Sequence, residues 1–238
     1  PQGAAPAAGA QAMPGLFDEP MPATSQVQAL NYETVLTQAQ LDAWLDKLSR
    51  AELVALDTET TSLDEMRAEI VGISFSIEPG EAAYLPLAHA GADAPAQLPR
   101  EAVLAQLKPW LENPAARKLG QHVKYDRHVF ANHGIEVQGY AHDTMLQSYV
   151  LEVHKPHGLA SLAERHVGRK GLSYEDLCGK GAHQIPFSQV DVARATTYSC
   201  EDSDMTLDVH RVLWPRLEAD ARLRGIYELE MASSEALY

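Results

Sequence analysis

The chain has 238 residues, 45% of them hydrophobic, two cysteines and a formal net charge of −14. That charge argues against a self-sufficient module for gripping long duplex nucleic acid, which is normally basic. The cysteines, Cys178 and Cys200, give no disulfide framework, and no apolar run nears the ~20 residues of a membrane span, so a reducing cytoplasm is the expected location and no membrane the expected partner.

Residues 1–28 are rich in Pro, Ala, Gly and Gln and read as a flexible linker or tail. They open on Pro1-Gln2-Gly3 without an initiator Met, so the chain is expected to be cut from something larger. The first folded element is a strand near Asn31–Val35. Thr37 then suits the N-cap of an amphipathic helix over Gln38–Arg50, with Leu41, Trp44, Leu45 and Leu48 along one face.

Leu53-Val54-Ala55-Leu56-Asp57-Thr58-Glu59-Thr60 is a short, continuous apolar run that ends in two carboxylates. A run of this kind suits a strand covered on both faces. In an extended chain Asp57 and Glu59 point to the same side. Held together at the end of a buried strand they repel each other and lose solvation, which a divalent cation relieves. The plainer alternative is that these acids simply leave the core at a strand end.

Ile70–Ile77 and Ala82–Leu87 are further strands joined by the turn Glu78-Pro79-Gly80-Glu81, giving an antiparallel three-strand unit with the acidic strand. Residues 90–99 form a loop, Arg100–Glu112 a helix and Lys118–His122 a short strand. From there the pattern is helical: near Tyr125–His133, Thr144–Leu151, Leu159–Val167, Tyr174–Cys178, Val190–Leu217, and again after Asp220. Asp143 suits an N-cap better than catalysis. Strands followed by helices, with one strand interleaved, indicate an α/β domain: a mixed sheet flanked by helices.

A third acid, Asp126, sits where the short strand turns into a helix. Tyr198 and Asp202 are four residues apart and share a face if their segment is helical. Ala195, Met205, Val209 and Val212 make that helix half-buried. Glu201, Asp202, Asp204 and Asp208 can also be read as a solvated acidic face.

Asp57-x-Glu59, the Tyr125-Asp126 block and Tyr198-x-x-x-Asp202 resemble the three ordered motifs of the DEDD 3′→5′ exonucleases, in the tyrosine branch. More narrowly, several blocks resemble the Klenow-type proofreading domain of bacterial DNA polymerase I. They are Asp57-Thr58-Glu59-Thr60-x-Ser62-Leu63, Gly120-Gln121-x-x-Lys124-Tyr125-Asp126, Asp143-Thr144-Met145-Leu146, Ser161-Leu162-Ala163-Glu164-Arg165, Gly179-Lys180-Gly181 and Glu201-Asp202-x-Asp204. The similarity runs in unbroken order over about 53–217. One departure is His122, where that family usually has Asn.

The resemblance implies a ribonuclease H-like fold over residues 29–219, with 220–238 the start of a truncated polymerase domain. It implies two divalent cations, Mg²⁺ or Mn²⁺, with Zn²⁺ an option at one site. Asp57, Glu59 and Asp202 would hold one ion, and Asp57 and Asp126 the other. Tyr198 would orient the attacking water. Leu63 would wedge between terminal bases, although its ordinary alternative is core packing. Thr60, Gln121, His122, Tyr174 and Lys180 are the remaining candidate contacts to DNA. The implied partners are a single-stranded DNA 3′ end and the polymerase part of the same parent chain, the domain itself being a monomer. The alternatives are a stand-alone exoribonuclease and a degenerate domain kept as a scaffold.

Overall fold

The structure, a computed structural model, describes residues 30–238. The expected linker over 1–28 therefore lies outside the described residues.

Strand β1 (Asn31–Thr34) leads into helix α1 (Gln38–Arg50). Thr37 caps the helix as expected: its hydroxyl accepts from the Gln40 N–H, and the Gln40 side chain accepts from the Thr37 N–H. Leu41, Trp44 and Leu48 recur at helical spacing and are all buried. The acidic strand is β2 (Val54–Thr60), followed by β3 (Ile70–Glu78) and β4 (Glu81–Pro86). Next come α2 (Arg100–Leu111), β5 (Lys118–Gly120), α3 (Val123–Ala131) and β6 (Tyr140–Asp143). The rest is helical: α4 (Thr144–Leu151), α5 (Leu159–Val167), α6 (Tyr174–Cys178), α7 (Val192–Glu218) and α8 (Ala221–Ala236).

The six strands form one mixed sheet in the order β1-β4-β3-β2-β5-β6. Strands β2, β3 and β4 are antiparallel, as the turn between Glu78 and Glu81 implies. Strands β5 and β6 run parallel to β2 and β1 runs parallel to β4. Side chains alternate between two layers. Ala83 and Leu85 of β4 join Leu41, Trp44, Leu107 and Phe130 under α1, α2 and α3. Ala82 and Tyr84 point the other way, to Leu177, Phe187, Ala195 and Cys200. Helix α7 lies across β2, β3 and β4 on that second face.

Three expectations need correction. The segment after residue 122 is not wholly helical, because β6 adds a sixth strand at the sheet edge. Its four residues, Tyr140-Ala141-His142-Asp143, hold no β-branched side chain and are too short to show a period. Strand β5 stops at Gly120, and His122 turns into the left-handed region (φ 67°, ψ 51°) at the N-cap of α3. Helix α3 consequently starts two residues before Tyr125, and Asp126 lies in its first turn.

The parallel strands β2, β5 and β6 end at the same edge of the sheet. There Asp57–Thr60, Gly120 and Asp143 are brought together, the usual place for a ligand site in an α/β sheet.

Candidate active site

Asp57 and Glu59 sit on one face of β2, and Asp202 comes down to them from α7. One carboxylate oxygen from each of the three lies within 4.8 Å of the others. Asp126, from α3, stands beside this group and outside that three-oxygen set. Its Oδ1 accepts the Thr58 hydroxyl at 2.6 Å, which ties it to β2. Tyr198, one turn before Asp202 on α7, is half-buried, with its ring tilted against Phe187 at 6.1 Å. Three elements distant in sequence, β2, α3 and α7, therefore converge on one small space.

Backbone packing makes this space possible. Glu59 pairs with Gly72 on β3. A Cβ on Gly72 would stand 2.1 Å from the Tyr84 hydroxyl, so only glycine leaves room for that buried phenol. Tyr84 is held in turn by His89 at 2.8 Å. On the α7 side, the Ser199 hydroxyl donates to Glu59 Oε1 at 2.7 Å.

Burial pushes the Asp57 carboxyl up to about 7. Burial first, and then the nearby Asp57 charge, hold Glu59, Asp126 and Asp202 well above the usual carboxylate range. None of these acids has a cationic side-chain partner among the described residues. Uncompensated carboxylates with oxygens this close, Glu59 buried and Asp57 and Asp202 partly so, suit a hard divalent cation, which prefers carboxylate ligands. Tyr198 is pushed far above the ordinary phenol range, by burial and then by Asp202, Glu59 and Asp57. In the metal-free domain it remains a protonated donor.

A family model described as 3′-5′ exonuclease matches residues 32–218. The chain belongs to that family. The DNA polymerase I of Pseudomonas aeruginosa is 49% identical to it over 214 residues, covering 88% of this chain and 23% of the relative. The exonuclease domain thus spans about a quarter of that relative's length. Among solved structures, Escherichia coli RNase D, an exoribonuclease, superposes with a TM-score of 0.62 at 18% identity, over 87% of this chain and 50% of that one. Brucella melitensis NrnC with bound Mg²⁺ gives 0.56 at 18%, over 88% and 93%. At these identities the likeness is one of fold, the ribonuclease H-like arrangement.

Around the acids, the exonuclease domain sorts the other candidates. Leu63 is 94% exposed, which rules out its core-packing alternative. The turn that carries it is fixed by Tyr125, whose hydroxyl donates to the Ser62 carbonyl at 2.6 Å and lies 2.5 Å from the Thr60 hydroxyl. Tyr174 is partly exposed and stacks on Phe187, the residue that also touches Tyr198. His122 is exposed and stacks on Tyr125. His, like Asn, tolerates the left-handed backbone needed there.

Two candidates are engaged elsewhere. The Gln121 amide donates to the His157 carbonyl and accepts from Thr144, so both its ends are used within the protein. Lys180 pairs with Glu175. Asp143 is an N-cap as expected, accepting from the N–H groups of Met145 and Leu146, and it also receives those of His122 and Val123.

The solvated reading of the α7 acids fails. Asp204 is fully buried and accepts from Tyr32, from the Gly80 N–H and from Arg169, each at 2.8 Å. Asp208 shares Arg169, and Glu201 accepts the Leu172 N–H. Val212, expected on the buried face, is instead 37% exposed. Sequence reading missed Ser199, Thr58 and Tyr84 as supports. A hydroxyl or phenol near a motif gives no sign of which carboxylate it will reach.

Proposed function

We propose that this domain removes nucleotides one at a time from the 3′ end of single-stranded or frayed DNA, as the proofreading part of a bacterial DNA polymerase I. The observation that carries this reading is the convergence of Asp57, Glu59 and Asp202 oxygens within 4.8 Å, with Asp126 beside them, in a chain of the 3′-5′ exonuclease family. Asp57, Glu59 and Asp202 would hold one divalent ion, and Asp57 with Asp126 a second. Mg²⁺ is the ion bound in the Brucella NrnC structure. When bound, such a pair supplies activation of water and neutralisation of charge on the phosphate and the leaving oxygen.

The protein's own groups do the positioning. Tyr198, as a protonated phenol, donates a hydrogen bond that orients the attacking water, with Glu59 facing it. Leu63, exposed on a turn braced by Tyr125, separates the last bases. Tyr174 offers a partly exposed ring for stacking, as single-strand binders commonly do. His122 stands at the mouth, close to the terminal nucleotide.

The acidic surface fits a domain that holds only a few terminal nucleotides while a polymerase part of the same parent chain holds the duplex. Residues 29–219 would be the nuclease unit, acting as a monomer in the cytoplasm, and α8 would begin the polymerase part.

The test is digestion of a 5′-labelled single-stranded DNA with Mg²⁺ or Mn²⁺, beside EDTA, the Asp202→Ala variant and an RNA of the same sequence. A metal-dependent ladder from the 3′ end, absent in the variant and stronger on DNA, is expected. Preference for RNA would reassign the domain to RNA trimming, and cleavage unaffected by EDTA would refute the metal site.

A further inference from the structure

Several hydroxyls of α7 bond back into their own helix. Thr196, Thr197 and Ser203 each donate to the carbonyl four residues earlier, on Val192, Ala193 and Ser199, and Thr196 also lies 2.7 Å from the Thr34 hydroxyl. This is the ordinary use of a hydroxyl inside a helix. Ser199 instead reaches out of the helix, across 140 positions of sequence, to Glu59 Oε1 at 2.7 Å. Both residues are buried, Ser199 completely. Once Glu59 is ionised, as an ion ligand must be, a hydrogen bond to it in such a place is strong.

The consequence concerns how Glu59 can bind an ion. The Ser199 bond fixes the rotation of the Glu59 carboxylate and takes up one of the lone pairs of Oε1. Ca²⁺ takes six to eight oxygens and readily accepts both atoms of a carboxylate, whereas Mg²⁺ demands near-octahedral geometry at short distance. We propose that Ser199 is a positioning residue that holds the Glu59 carboxylate in one orientation, which serves the strict geometry of Mg²⁺ or Mn²⁺ more than the flexible one of Ca²⁺, and so makes the site prefer the former. This rests on the metal-site reading above.

The experiment measures ion binding, not turnover. Mn²⁺, Mg²⁺ and Ca²⁺ are titrated separately by calorimetry into the wild-type chain, Ser199→Ala and Asp202→Ala, with thermal unfolding to verify that each is folded. Wild type is expected to favour Mn²⁺ and Mg²⁺ over Ca²⁺. Ser199→Ala should lose ~10–100-fold in Mn²⁺ and Mg²⁺ affinity, the usual cost of removing a group that orients a ligand. Its Ca²⁺ affinity should stay level or rise, so that the preference narrows. Equal weakening toward all three ions, or an unchanged preference, overturns the role of Ser199 while the metal site stands. Absence of binding to the wild type, matching Asp202→Ala, overturns both.

Discussion

The hydroxyl of Thr58 donates to Oδ1 of Asp126 over 2.6 Å, joining the acid of α3 to the strand that carries Asp57 and Glu59. Thr58 lies between those two acids in sequence and points the opposite way along the strand, so one short segment controls three carboxylates. Thr58→Val keeps the shape and removes the donor. We expect it to fold and to lose ~10–100-fold in kcat, as other ligand-orienting groups do. Steady-state digestion of a labelled oligonucleotide checks this, and an undiminished kcat would show that Asp126 is held by packing alone.

The metal-free domain should become less stable as pH rises. Burial pushes Asp57 from its ordinary 3.8 up to about 7. Over that window the unfolded chain gives up its proton while the folded domain keeps it, so the folded state binds more protons and is penalised as pH increases. The contribution is fully present below about 4 and is lost by the time pH passes about 7. Glu59 and Asp202 are raised in the same direction and carry the loss higher. In EDTA, Asp57→Asn should therefore unfold at a higher temperature than wild type at pH 8 and show no such gain at pH 4. Each kcal/mol recovered is worth about 2–4 °C in a domain of this size. Mg²⁺ should raise the wild-type melting temperature at pH 8 and not at pH 4. A pH-independent difference between the two proteins would contradict the burial of that charge.

Leu63, 94% exposed beside the acids, should matter to substrate and not to the fold. Leu63→Ala is expected to leave stability within about 0.5 kcal/mol, the usual range for an exposed site. If the side chain is buried between bases, its loss removes ~1.5–3 kcal/mol of apolar contact. That corresponds to about tenfold or more in KM on a 3′ end. Unchanged KM with unchanged stability would leave Leu63 with no part in binding.

Arg169 separates structural acids from the site on the same helix. It binds Asp204, which is fully buried, and Asp208. Arg169→Ala leaves Asp204 with Tyr32 and the Gly80 N–H but no cation. Breaking a buried pair in this way costs about 3–5 kcal/mol. Chemical denaturation should report that loss, while kcat per folded molecule stays close to wild type. A selective fall in kcat without destabilisation would move Asp204 into the catalytic group.

The sequence alone determined most of the elements and marked out the candidate acids. Capping by Thr37, the apolar run of β2, the Glu78–Glu81 turn and the helical spacing of α4 to α7 are local signals, and the chain obeys them because each depends on neighbours within a turn or a strand. Asp57, Glu59, Asp126, Tyr198 and Asp202 were legible through ordered motifs. Tertiary structure alone decided what surrounds them. Nothing local distinguishes Ser199, bound to Glu59, from Ser203, bound to its own helix. Nothing local makes Asp204 a buried anchor while Asp202, two residues earlier on the same helix, faces the other acids. Strand β6 exists because β5 offers it a parallel edge, its own four residues being too few to specify a strand. A carboxylate's role is set by which distant groups reach it, and that is fixed only when sheet and helices close on each other.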